Sequence, residues 1–179
     1  MKTELAKLLT EQGLDCSDLL AQQFISYFEF LLNWNQHTNL TAITDFQEYA
    51  VKHVLDSLLP VRFIALKHLS VADVGTGAGF PGLPLKLYDP TIDLCLLDAS
   101  SKRVRFLEAC CQRLGVPAEI VHSRAEDAGR GVYRDRFDRV FARAVAPMAV
   151  LTEYCLPLVK PGGCFIALKG PKGQEEIDT

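Results

Sequence analysis

The sequence has little of what would mark several large classes of protein. No apolar run approaches the roughly 20 residues that a membrane-spanning helix needs. The opening Met1-Lys2-Thr3-Glu4 brings in an acidic residue early and leads into no signal-type apolar stretch. A cytoplasmic protein with no membrane association is therefore expected. None of the six cysteines forms a C-x-x-C pair. A zinc site built on paired ligands at short spacing has nothing to start from, so no metal is expected. Cys95 and Cys164 lie inside apolar runs and read as small buried hydrophobes. There is one tryptophan, Trp34, and there are no internal repeats or low-complexity segments.

What is present suits a folded domain. Apolar residues make up 49% of 179, enough for a real core. Net charge is −3, which alone argues against indiscriminate nucleic-acid binding. The charge is unevenly spread. Between Ala99 and Arg143 ten Lys and Arg face six Asp and Glu, while the rest of the chain carries nine against sixteen. A locally basic stretch of this kind can face a polyanion, or can be no more than a solvated surface.

Residues 1–68 read as a helical N-terminal extension. Leu19, Leu20, Phe24, Phe28, Leu31 and Leu32 recur at helical spacing after Ser17 or Asp18 as cap. A polar turn from Asn33 to Thr41 separates this helix from a second one over 45–59, with Tyr49, Val51, Val54, Leu55 and Leu58 as its apolar set. From residue 69 to 179 short apolar runs alternate with helical stretches. Strands are expected at 71–74, 92–97, 119–122, 137–142 and 164–168, and helices at 83–88, 101–114 and 148–159, with Pro161-Gly162-Gly163 turning the chain into the last strand. Alternation of this kind means α/β: a doubly wound, mainly parallel sheet with helices on both faces.

Asp73-Val74-Gly75-Thr76-Gly77-Ala78-Gly79-Phe80-Pro81-Gly82 follows a strand and precedes a helix, the context of a nucleotide-binding loop. Gly75, Gly77 and Gly79 allow a sharp turn and close approach of a ligand. Asp98 ends the second strand 23 residues after Gly75, where a carboxylate accepts the two hydroxyls of an adenosine ribose. NAD and S-adenosylmethionine share that ribose. Asp73 leans toward the methyl donor, because a carboxylate there can organise the loop near a cationic methionine end. Pro81 and Pro84 also remove backbone donors that a pyrophosphate would want.

The segments Val71 to Pro84, Leu96-Leu97-Asp98-Ala99-Ser100 and Lys102-Arg103-Val104-Arg105-Phe106-Leu107 resemble the bacterial small-subunit ribosomal RNA methyltransferase G family, also called glucose-inhibited division protein B. The resemblance extends to Asn33-Trp34-Asn35, Asn39-Leu40-Thr41-Ala42-Ile43, His53-Val54-Leu55-Asp56-Ser57-Leu58, His122-Ser123-Arg124-Ala125-Glu126-Asp127, Ala142-Arg143-Ala144-Val145 and Leu168-Lys169-Gly170. It implies a class I, Rossmann-like core, S-adenosylmethionine as cofactor, and methyl transfer to N7 of one guanine in 16S rRNA. It implies 16S rRNA or the small ribosomal subunit as partner, and no obligate protein partner. By motif position it places the cofactor on Gly75, Phe80, Ala125, Glu126 and Arg143. Phe80 stands where relatives often carry leucine, and Ala78 where many carry proline. The family continues beyond a fifth strand with a helix and a closing hairpin. With Thr179 last, the expectation is a core lacking that C-terminal hairpin.

Guanine N7 has an in-plane lone pair and no proton, so no general base is expected and positioning carries the reaction. Arg143 and Lys169 are the candidate substrate-positioning residues. Asn39, His53, Lys102, Arg103 and Arg105 are candidate RNA contacts. Bland readings stand beside these: a structural hydrogen bond for His53, turn stabilisation for Asn39, a solvated helix face for the cations, and a core position for Trp34. Two other functions compete. A nicotinamide-dependent oxidoreductase would want a Tyr-x-x-x-Lys pair, but Tyr154 is followed at position 158 by leucine. A methyltransferase-like RNA-binding module would bind without turnover.

Overall fold

The computed structural model describes residues 1–143 and 146–170. Five parallel strands form one sheet in the order β3-β2-β1-β4-β5, made of β1 (Ser70–Val74), β2 (Asp93–Asp98), β3 (Glu119–His122), β4 (Phe137–Arg143) and β5 (Val159–Leu168). The chain runs outward from β1 to β3, then returns to lay β4 on the other side of β1. The carboxyl ends of β1 and β4 thus flank the point where strand order reverses, the usual ligand crevice of an open parallel sheet.

Alternation along β1 feeds two apolar layers. Val71 joins a cluster with α1 (Lys2–Glu11), α2 (Asp18–Thr38), α5 (Gly82–Tyr88) and α6 (Ser101–Leu114). Ala72 and Val74 point the other way, into a cluster with α7 (Ala125–Arg130) and α8 (Met148–Cys155). The helices of residues 1–68 are thus continuous with the core of one sheet face. Phe24, Tyr27 and Leu31 are fully buried there, beside Leu83 and Phe106.

Three elements differ from the sequence expectation. Helix α2 does not stop at Leu32 but runs on to Thr38. Trp34 packs at one helical turn from Phe30 and edge-on to Phe106, with centroids 5.6 and 5.8 Å away, so the apolar stripe outlasts the polar residues around it. Ser17 is its cap, accepting from the Leu20 N–H at 3.1 Å, and Asn39 closes it in the left-handed region with φ 50°. The second helix is three pieces: α3 (Phe46–Tyr49), a π-helical segment (Ala50–Leu55) and α4 (Asp56–Leu58). The wider turn shifts the phase, so Tyr49, Val54 and Leu58 are buried while Val51 is 48% exposed. Helix α8 ends at Cys155, and β5 begins at Val159 instead of Cys164. Pro161-Gly162-Gly163 is a bulge inside β5: the register passes from Phe137↔Val159 to Arg139↔Cys164 across it. A Cβ on Gly163 would come within 2.8 Å of the Asp138 carbonyl oxygen, so a side chain there would push the two strands apart.

Helix α7 is an addition to the expected elements. All six cysteines are free thiols; Cys95, Cys110, Cys111 and Cys155 are buried in the apolar layers, and burial raises the Cys95 thiol to about 12. No helix of the described residues is long and apolar enough to cross a membrane.

Candidate active site

The loop after β1 is pinned across the sheet. The Gly75 N–H donates to the Leu97 carbonyl at 2.8 Å, and Gly79 and Phe80 close back on the Thr76 carbonyl at 2.9 and 3.0 Å. Gly75, Gly77 and Gly79 all have positive φ, between 61° and 97°, the region that favours glycine. Their surroundings differ. A Cβ on Gly77 meets only the Gly75 carbonyl oxygen at 4.0 Å, so the loop is open on that side. On Gly79 it would strike Leu83 at 2.5 Å and the Tyr27 hydroxyl at 2.6 Å, which fixes that glycine for packing against α2 and α5.

Two buried carboxylates hold the loop. Asp73, at zero exposure, accepts from the Thr76 hydroxyl at 2.6 Å and from the Gly82 N–H at 2.7 Å, both on Oδ2. Its Oδ1 is buried and has no partner among the described residues. Burial raises its pKa to about 6, against the pull of the Thr76 and Gly82 hydrogen bonds and the Arg143 charge. Asp98 ends β2, accepting from the Ser100 N–H on Oδ1 at 2.8 Å and the Gly77 N–H on Oδ2 at 2.9 Å. Arg103 reaches back from α6 to the same Oδ2 at 3.5 Å.

An aromatic wall is built on Phe80 of the loop itself. The His53 ring stacks on Phe80 with centroids 4.2 Å apart and planes 10° from parallel, and Tyr27 stacks on Phe80 at 5.1 Å. The Tyr27 hydroxyl donates to the Ala78 carbonyl, tying α2 to the loop. Arg143, at the end of β4, lies over Phe80 at 5.3 Å. Its guanidinium donates to the Lys52 carbonyl at 2.9 Å, to Asp56 at 3.0 Å and to His53 Nδ1 at 3.1 Å. His53 Nε2 is 3.1 Å from the Thr41 hydroxyl oxygen. Burial, and then the Arg143 charge, lowers the His53 pKa to about 4, so its ring is neutral at ordinary pH. His53 sits within the π-helical segment, a distortion often found at functional sites.

Two hollows meet at Gly75. The larger, about 390 Å³, is lined by Thr41, His53, Gly77, Phe80, Arg103 and Arg143 among others. The smaller, about 190 Å³, lies toward β3 and is lined by Leu97, Ala99, Ala125, Glu126 and Tyr154 among others. The structure thus gathers Asp73, Gly75, Gly77, Phe80, His53, Asp98, Arg103, Ala125, Glu126 and Arg143 around one crevice. Other expected residues lie off it. Lys102 and Arg105 are exposed on α6, and Asn39 is exposed at the end of α2. Lys169 follows β5 and donates to the Ala146 carbonyl at 2.7 Å. Ala144 and Val145 lie outside the described residues.

Sequence reasoning missed three participants. Asn35, not Asn39, holds the polar turn: its Oδ1 accepts from the N–H groups of Leu40 and Thr41 at 2.6 and 3.0 Å, and its Nδ2 donates to the Thr41 carbonyl at 2.9 Å. Thr41 and Tyr27 join it; Asp56, a polar residue of one of the motifs that carry the resemblance, pairs with Arg143. Tyr27 reaches Ala78 across 51 residues, whereas Asn35 and Thr41 act within 12 residues, in a turn whose geometry no spacing rule gives.

A family model described as rRNA small subunit methyltransferase G matches residues 20–179. The chain belongs to the rRNA small subunit methyltransferase G family. A family member from Lactobacillus acidophilus is 47% identical over 175 residues, covering 95% of this chain and 73% of its own length. One from Alkaliphilus metalliredigens is 50% identical over 172 residues, with 94% and 72% covered. Among solved structures, an S-adenosylmethionine-dependent methyltransferase from Aquifex aeolicus superposes with a TM-score of 0.57 at 19% identity, covering 77% of this chain and 79% of that one. The [4+2]-cyclase SpnF gives 0.56 at 21% identity, covering 69% and 46%. A methyltransferase and a cyclase match this fold equally well, so family membership rests on the sequence relatives and the fold likeness speaks for architecture alone.

Proposed function

We propose that the protein transfers a methyl group from S-adenosylmethionine to N7 of one guanine in the 16S rRNA of the small ribosomal subunit, as a cytoplasmic enzyme. The observation that carries the cofactor is the unpartnered Oδ1 of Asp73, buried beneath the loop. A buried carboxylate oxygen without a donor is costly, and a cationic amino-acid end offers the missing donor. An anionic pyrophosphate at the same place would worsen the electrostatics.

The residues present fit the whole cofactor. Asp73 and the loop at Gly75 and Gly77 would hold the methionine end. Asp98 would take the ribose, because Oδ1 keeps a second acceptor site beyond the Ser100 N–H and on Oδ2 a ribose hydroxyl would displace only the long Arg103 contact. Ala125 and Glu126 would flank the adenine in the smaller hollow. When bound, S-adenosylmethionine supplies an electrophilic methyl group on a sulfonium.

The larger hollow remains for the base. Guanine N7 brings its own lone pair, so no residue needs to remove a proton. His53 is unsuited to that work in any case, since both its ring nitrogens are engaged. What these residues do is orient. Phe80 and His53 form a flat wall held by Arg143, and alignment of two bound reactants can supply roughly 7–11 kcal/mol of the barrier. Arg103 at the mouth, with exposed Lys102 and Arg105 beyond it, offers cations for phosphates.

The test is incubation with methyl-labelled S-adenosylmethionine and small-subunit particles lacking the modification, followed by nucleoside analysis. Label in 7-methylguanosine is expected. Label in another nucleoside, or binding of cofactor and RNA with no transfer, overturns the reading; the second outcome favours a module that binds without turnover.

A further inference from the structure

The hydrogen-bond chain from Arg143 to the pocket has a fixed direction. A guanidinium only donates, so His53 Nδ1, 3.1 Å from an Arg143 nitrogen, must be the bare, accepting nitrogen. The neutral ring then carries its proton on Nε2, and that N–H donates to the Thr41 hydroxyl oxygen at 3.1 Å. The same oxygen accepts a second hydrogen bond, from the Ile43 N–H at 3.1 Å. Both acceptor positions of the Thr41 hydroxyl are therefore filled, and its own proton has no acceptor among the described residues. Thr41 lines the larger hollow beside His53, Phe80 and Arg143. Burial and the Arg143 charge keep His53 neutral, which leaves the direction of the chain unchanged across ordinary pH.

We infer that Thr41 is a specificity-determining residue: its hydroxyl, committed as a donor by Arg143, His53 and Ile43, reads a carbonyl oxygen beside the reacting nitrogen of the base. This rests on the guanine-N7 reading above. Guanine presents two neighbouring acceptors, N7 and O6, whereas adenine places an amino donor next to N7. A fixed donor at this point pairs with the first and opposes the second. A site built to bond a particular polar group discriminates far more strongly than an apolar one, because the wrong partner leaves its own group unpaired. Arg143 and His53 are positioning residues here, acting on the base through Thr41.

The experiment compares the wild type, Thr41→Ser and Thr41→Val on particles whose target base is guanine or 2-aminopurine, which keeps N7 and lacks O6. Cofactor affinity is titrated for each protein as a check on folding. With guanine, Val should lower kcat/KM by roughly tenfold to a hundredfold and Ser should restore most of it. The wild type should lose a similar factor on 2-aminopurine, and the Val variant should lose little more. If the Val variant loses the same further factor as the wild type, Thr41 does not read O6 and the inference falls. If the wild type labels no 7-methylguanosine, the functional reading fails and this inference fails with it. A second measurement is independent of turnover: nitrogen NMR of His53 should show the proton on Nε2, and a proton on Nδ1 overturns the chain.

Discussion

Asp73 and Asp98 are both buried, yet the structure treats them differently, and the difference is measurable. Burial carries Asp73 from 3.8 to about 6, so the folded protein holds this proton more tightly than the unfolded chain does. On this account stability is greatest below about pH 4 and falls as pH rises to about 6, by roughly 3 kcal/mol. His53 acts in the opposite sense: its pKa falls from 6.5 to about 4, so its contribution is complete above 6.5 and is lost as pH drops toward 4. Urea unfolding of Asp73→Asn and wild type across pH 3.5 to 7.5 should therefore give curves whose difference changes between about 4 and 6. Parallel curves would show that Asp73 is not carrying the burial penalty. The Asp98→Ala change removes the acceptor for Gly77 and Ser100 as well as the proposed ribose partner. It should weaken S-adenosylmethionine roughly tenfold or more by calorimetry, and an unchanged affinity removes the ribose assignment. Both carboxylates were legible in the sequence, since each sits at a fixed offset from a strand end and a glycine run. The link from Arg143 to His53 was not: it joins residues 90 apart and depends on where a π-helical segment aims an imidazole.

Among the elements, the turn between α2 and α3 has the most leverage on the site, because it carries Thr41. One side chain, Asn35, makes three hydrogen bonds to that turn. Asn35→Ala leaves partly buried backbone groups unpaired and should cost about 1–3 kcal/mol. Hydrogen exchange should rise at Leu40 and Thr41 first; uniform protection would mean that the turn is held by something else. The same region shows where periodicity misleads. Polar residues from Asn33 onward read as a turn, but Trp34 and its ring partners carry the helix further. The π-helical turn is invisible to a count based on 3.6 residues, and it displaces Val51 from the buried set. Pro161-Gly162-Gly163 was sound as a turn signal, yet a bulge inside a strand uses the same residues as a loop before one.

At the scale of the molecule, strand–helix alternation was enough to give a parallel sheet with two apolar layers, because each layer needs only a local pattern. Which surface of the sheet the N-terminal helices would cover had no such signature; it is settled by ring packing such as Tyr27 on Phe80 and Phe30 on Phe106. The whole-chain charge of −3 also hides the basic stretch between Ala99 and Arg143. Arg103 of α6 lines the larger hollow, with exposed Lys102 and Arg105 beyond it, while Asp73 and Asp98 are buried. Raising salt from about 50 to 200 mM should therefore raise KM for the RNA substrate severalfold or more and leave S-adenosylmethionine affinity nearly unchanged. Equal sensitivity of the two would mean that the basic stretch is only a solvated surface. The reversal of strand order has a further consequence in time. A chain emerging from synthesis with everything up to β3 already outside would possess both carboxylates, the glycine loop, His53 and Phe80. Its imidazole would have no guanidinium to choose its tautomer, because Arg143 arrives only when β4 slots in beside β1. On the role inferred for Thr41, selectivity waits for β4, so an immature chain that had already captured cofactor would still lack the means to choose a base.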